Sequence, residues 1–330
     1  MSRNVSVLKQ ASKWATAAVL SWSMISVSAE QKSNTPDWYL NFDVAGLRSS
    51  EIMQHKADDQ KKAEQLIDLL LGEASAKSVQ RAYAFGYVEE HKVLILQGAF
   101  KSHANEIKQR WEALGFAQVE AAPAGIYKVE AKKAIERFAS MAKAKGLVDG
   151  DSDIQIDDKS SSEGPKFIYS TMLGEQHLVF SDDLTLLQMQ QAATLPKMDG
   201  SSIFEVVVDV KKALVHGGVN IDDLNQANYQ FESISAQQLS QVSVSYQEEG
   251  EYSKLQLGLK ADTEEVANNI RSIAQGIIAL KRLGTRDPVV LDVLNNIRFD
   301  QSGGDLLVTL AGPIASLKRL TDDAPKAMTE

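Results

Sequence analysis

Ile203-Phe204-Glu205-Val206-Val207-Val208-Asp209-Val210 decides the fold, because the chain has already written a similar line once. About 166 residues earlier stands Trp38-Tyr39-Leu40-Asn41-Phe42-Asp43-Val44, with Asp43 where Asp209 falls in the later stretch. Both runs are rich in aromatic and β-branched residues, the side chains that fit a pleated, half-buried surface, so both predict a strand. Working outward, two strand-like runs follow each of them. Arg81–Val88 and Lys92–Phe100 flank Glu89-Glu90-His91, and Val242–Tyr246 and Lys254–Leu259 flank Glu248-Glu249. Tyr87 answers to Tyr246 and Gly98 to Gly258. A second hairpin closes each half: Phe167–Leu173 with His177–Phe180, and Ile297–Asp300 with Leu306–Leu310 around Ser302-Gly303-Gly304.

Helical spacing fills the intervals. Ala63, Leu66, Ile67 and Leu70 form one stripe, started by Ser50 or Asp58 and ended by Gly72. Ile107, Trp111 and Leu114 form another, with Ser102 as N-cap and Gly115 as stop, and Lys132–Lys145 a third. Asp182 or Asp183 caps a short helix holding Leu184, Leu187 and Met189. Val266, Ile270, Ile273, Ile277 and Leu280 make the strongest amphipathic signal, capped by Asp262 and stopped by Gly284 and Pro288. Burial in a core is the ordinary fate of such a stripe. Pro313 opens a last short helix.

The fold class expected is therefore α+β: two similar copies of an antiparallel-sheet-plus-helices unit, preceded by a signal peptide. The first copy spans 38–198 and carries an insertion, chiefly 120–165, whose part near 149–165 is acidic; the second spans 199–320. Residues 30–37 read as a flexible leader and 321–330 as a flexible tail. Residues 1–29 carry Arg3, Lys9 and Lys13 with no acid, then an uncharged run from Trp14 to Ile25, then Val27-Ser28-Ala29. That order is a cleavable secretory signal. Its apolar run is too short to cross a hydrocarbon core, which takes about 20 residues.

Removing Arg3, Lys9 and Lys13 with the signal leaves 32 cations against 44 acids, a net charge of −12. Phosphate contact needs clustered Lys and Arg, so nucleic acid is not expected as a partner. The chain has 0 Cys, which rules out disulfides, thiol catalysis and a lipid-modified cysteine. The expected address is the periplasm, as an exported protein that is not a lipoprotein and has no transmembrane segment after the signal.

Phe42-Asp43-Val44-Ala45-Gly46-Leu47-Arg48-Ser49-Ser50-Glu51-Ile52, taken with the duplicated hairpin–helix units, resembles a family of uncharacterised exported bacterial proteins. The resemblance covers most of the mature chain. It implies an envelope-exposed protein and supplies no catalytic residues.

Asp149, Asp151, Asp153 and Asp157 place oxygen ligands at alternating positions, which suits calcium. The full calcium loop fails, with Ile154 where a glycine turns the chain and Ser160 where a bidentate Glu belongs, and a solvated acidic loop explains the same residues. His55, His91, His103, His177 and His216 are scattered and read as surface residues. Arg48-Ser49-Ser50-Glu51 reads as a capping arrangement in which Ser49 or Ser50 accepts from helix amides. Asp43 and Asp209 read as cap or turn residues, with a paired-carboxylate site as the alternative. No Gly-x-Ser-x-Gly elbow or phosphate loop occurs. The functional expectation is an exported, non-enzymatic binding or interaction protein contacting an envelope protein. A carrier of a small apolar ligand between sheet and helices is the alternative, and a hydrolase with a dispersed site the second.

Overall fold

The structure, a computed structural model, describes residues 36–51, 57–87, 91–120, 125–147, 165–189, 202–216 and 238–317. The chain divides into two compact units, one of Asp43–Met198 and another of Asp37–Phe42 with Asp199–Glu330. Both are mixed helix and antiparallel strand, the α+β class expected.

The second unit is built around the stretch quoted first. Strand β8 (Phe204–Asp209) pairs antiparallel with β1 (Trp38–Asp43), Trp38 opposite Val208 and Phe42 opposite Phe204. Although β1 comes first in the chain, its residues Trp38–Phe42 group with this unit. On its other side β8 meets β9 (Leu239–Glu249), which turns at Gly250 (φ 60°) into β10 (Tyr252–Ala261). The hairpin of β11 (Ile297–Ser302) and β12 (Asp305–Pro313) joins through β12 against β10. The strand order is β11-β12-β10-β9-β8-β1.

The first unit orders its strands β2-β3-β7-β6-β5-β4. They are β2 (Val79–Gly86), β3 (Lys92–Gly98), β4 (Ala117–Gln118), β5 (Ile126–Glu130), β6 (Phe167–Leu173) and β7 (His177–Ser181). Helices α1 (Val44–Ser49), α2 (Ala57–Leu71) and α3 (Glu73–Ser78) precede the sheet. Helices α4 (Ala104–Leu114) and α5 (Ala131–Ala144) cover it together with α2. Leu69, Phe100, Ile107, Leu178 and Phe180 are almost wholly enclosed in the layer between. Trp111 sits at its centre, edge-on to Phe180 and Tyr127 at 5.5 Å each, and 5.9 Å from Phe116. Aromatic side chains thus fill the space between this sheet and its helices. Leu178–Ser181 of β7 are buried on both faces, and α6 (Leu184–Met189) lies against β6 and β7.

Asp183 Oδ1 accepts from Leu186 N at 2.7 Å and caps α6. Ser102 does not cap α4; it lies in a 3₁₀ turn (Lys101–His103). Thr263, not Asp262, caps α8 (Glu264–Gly284), its Oγ1 accepting from Val266 N at 3.3 Å, while Asp262 pairs with Lys211 at 2.8 Å. Pro288 does end the long helical stretch but also starts α9 (Pro288–Asn295), with Asp287 accepting from Val289 N at 2.8 Å. Proline in a first turn costs no hydrogen bond, so it signals a start as readily as a stop.

Candidate binding face

The register of the second unit sorts its side chains onto two different faces. Leu40, Val206, Val244, Leu257, Val308 and Phe299 stand opposite one another across six strands. The rows on either side of it, on the same face, include Phe42, Phe204, Tyr246, Leu255, Leu310 and Ile297, and Trp38, Val208, Val242, Leu259 and Leu306. The next row out of phase is Asn41, Glu205, Ser245, Gln256, Thr309 and Arg298, and it is polar throughout. That second face is mixed, because its neighbouring row holds Tyr39, Val207, Ser243, Gly258, Leu307 and Asp300, and Asn41 and Val207 on it are buried.

Helix α8 supplies part of that cover. Its N-terminal turns bring Val266, Ala267 and Ile270 onto Leu259, Leu306, Val308 and Phe299, and the close approach is made by Ala261 and Ala267, both buried. Glu264 and Glu265 in the first turn suit the helix dipole. At 1.5 Å per residue the 21 residues run about 31 Å, while the packed ones lie in the first two turns. Farther along, the stripe that predicted a buried helix is open, with Ile277 56 % and Leu280 70 % exposed, and Leu283 just beyond it is 85 % exposed. Leu257, in the middle of the sheet's apolar row, is 36 % exposed, and its row-mates are half-buried. Arg282 ties the end of α8 to α9 by donating to Leu294 O at 2.6 Å. The core expected beneath the whole stripe therefore exists beneath its first half.

Asp149, Asp151, Asp153 and Asp157 lie outside the described residues, as does His55. Asp43 caps α1 by accepting from Gly46 N at 2.8 Å, and Asp209 caps α7 (Val210–His216) by accepting from Lys212 N at 3.0 Å. Ser49 and Ser50 stand at the C-terminal end of α1, where Ser49 Oγ donates to the Ala45 and Gly46 carbonyls. Arg48 donates to the carbonyls of Ala76, Lys77 and Val79 and pairs with Glu64 at 3.3 Å, which fastens α1 to the junction of α3 and β2.

His91 departs from the surface reading. Its Nδ1 lies 3.5 Å from Asp182 and its Nε2 3.4 Å from Asp183. Asp182 also accepts from Lys92 N at 2.9 Å. Burial pushes the Asp182 carboxyl above its ordinary range, against the pull of that amide, His91 and Lys92, and burial lowers the Lys92 ammonium. No spacing rule marks this cluster, because Asp182 and His91 meet only through the pairing of β3 with β7. Ser181 nearby is fully buried, its Oγ accepting from Asp183 N at 3.1 Å.

No known family model matches the chain, and no curated protein matches it. Among solved structures it is similar to crystal form I of TP0453, at 11 % identity over 88 % of this chain and 94 % of that one, with a TM-score of 0.41. Crystal form IV of TP0453 gives 9 % identity over 87 % and 93 %, with a TM-score of 0.43. Crystal form III gives 10 % over 89 % and 99 %, with a TM-score of 0.40.

Proposed function

We propose that this chain is an exported, non-enzymatic binding protein of the periplasm, and that it takes an apolar ligand on the face of its second unit between the sheet and α8. The observation that carries the reading is an apolar surface larger than its cover. Leu257 on the sheet and Ile277, Leu280 and Leu283 on α8 are exposed among the described residues. Each is an apolar side chain whose transfer out of water is worth about 1.5–3 kcal/mol, so an apolar occupant has a substantial driving force. A hydrolase is less well supported, since the serine closest in sequence to the His91 partners is enclosed and its hydroxyl already engaged. The export half of the reading rests on Arg3, Lys9, Lys13 and the Val27-Ser28-Ala29 end of the leader.

The two units also read as copies of one ancestral unit. Within the first unit two hairpins lie in the order β2-β3-β7-β6, and within the second β9-β10-β12-β11. Asp43 and Asp209 cap the helices that follow matching strands.

Native mass spectrometry of protein purified from its own periplasm tests both halves of the functional reading. The expected spectrum shows a chain beginning at Glu30 and carrying an additional apolar mass, which organic solvent removes. A clean mass of the free chain, with no uptake of a fluorescent fatty-acid probe, would sink the ligand. A chain that still holds Met1 would sink the cleaved leader.

A further inference from the structure

The rows of the second unit's sheet run out to an open margin. Among the described residues β11 pairs with β12 alone and ends the strand order. Helix α9, which leads into β11, lies toward the sheet, against α8 and β12. Arg298 and Asp300 of β11 are exposed, and neither has an ion-pair partner among the described residues.

The hairpin fixes which backbone groups of β11 face outward. Ser302 stands opposite Asp305 across the two-residue turn Gly303-Gly304, with Gly303 at φ 58°. Such a turn is closed by a hydrogen-bonded pair, and hydrogen-bonded pairs alternate along an antiparallel ladder. Arg298, Asp300 and Ser302 therefore direct their amides and carbonyls to β12. Ile297, Phe299 and Gln301 direct theirs to the outside, where an edge strand can accept another strand.

The side chains of this edge complement themselves. When a second copy adds antiparallel about a two-fold axis at Phe299, Phe299 meets the partner's Phe299 and Ile297 meets the partner's Gln301, all through outward backbone groups. Arg298 then stands opposite the partner's Asp300 at a non-hydrogen-bonded position, where Cα atoms approach to about 4.5 Å and side chains come closest. The two-fold axis repeats that pair, which gives two opposite charges directly across from each other. A slip of two residues either way sets Arg298 against the partner's Arg298, or Asp300 against the partner's Asp300. A slip of one residue turns the apolar face of one copy to the mixed face of the other. One register is thus favoured and its neighbours are opposed.

We infer that β11 is a dimerisation edge on which a second copy of this chain pairs in that register. The apolar row that ends at Phe299 then continues into the partner. The inference stands apart from the apolar ligand and does not depend on it.

Sedimentation equilibrium of the purified protein across the micromolar range should show monomer and dimer in exchange. Arg298→Asp sets acid against acid twice, Asp300→Arg sets base against base twice, and each should weaken the dimer about tenfold. An equimolar mixture of the two variants should recover it, since an acidic edge then meets a basic one, and so should the chain carrying both changes. With 0 Cys in the sequence, the register can also be read by cross-linking. Arg298→Cys mixed with Asp300→Cys should form a disulfide-linked dimer under mild oxidation, because the paired Cα atoms fall within a disulfide's reach, and neither variant should do so alone. A parent that stays monomeric, a dimer indifferent to both charge reversals, or a mixture no better than its components overturns the inference. Both changed side chains are exposed, and circular dichroism of each variant shows that the fold is kept.

Discussion

Tyr39 shows how one side chain can report on the second unit. Burial, then the Glu205 carboxylate to which its hydroxyl donates at 3.4 Å, pushes its phenol up to about 12. An ordinary tyrosine titrates near 10, so between about pH 10 and 12 the unfolded chain loses this proton while the native chain keeps it. The contribution to stability is whole below pH 10 and is lost as the pH rises toward 12. Of the 8 tyrosines, the one resolved near 12 in an absorbance titration should vanish in Tyr39→Phe. The variant should also lose less stability than the parent across that alkaline window; a transition near 12 that persists assigns it elsewhere. At the same scale, His91 and Arg48 mark what could not be read from the chain. A lone histidine in a hairpin and an arginine after a strand look alike on any surface. Their partners, Asp182 with Asp183 and the carbonyls around Ala76, are remote in sequence and arrive only with the fold.

Among the elements, α8 carries the most consequence. Its apolar spacing was legible, its caps were half legible, and the extent of its burial was not. Amphipathic periodicity states which residues share a side, and it is silent on whether a neighbour reaches them along the whole length. The contrast with the first unit's layer gives a measurable difference. Phe180→Ala, which empties space beside Trp111, should cost about 3–5 kcal/mol in urea unfolding. Leu280→Glu or Leu283→Glu should change stability by no more than about 0.5 kcal/mol, since neither side chain is packed. The same two substitutions should weaken fatty-acid probe uptake at least tenfold. A large stability loss from Leu283→Glu would mean that the helix end is covered.

For the whole molecule, the two units differ in how completely they enclose their apolar surface. The first surrounds Leu178 and Phe180 with three helices, and the second packs Ala261 and Leu306 against Ala267 in the first half of α8. Local opening follows enclosure, so amides of β7 should be the slowest to exchange with deuterium, and those of β11 and the last turns of α8 among the fastest. An apolar ligand that binds the native second unit stabilises that unit by mass action. Fatty-acid probe should therefore raise protection along β9, β10 and α8 and leave β3 and β7 unchanged. Uniform protection across both units would point to a different binding place.

What the chain determined by itself is local: alternating runs that become strands, 3.6-residue stripes that become helices, glycine at their ends, and a charged and apolar leader. Those depend on side chains a few residues apart, so the α+β class and most hairpins could be read in order. Only the tertiary structure decided that Leu40, Val206, Val244, Leu257, Val308 and Phe299 stand in one row, because register across six strands joins residues up to 268 positions apart. It alone decided that α8 covers that row in part and that His91 lies between two carboxylates. Periodicity records which side chains share a face. What lies on that face is set by contacts between elements distant in the chain.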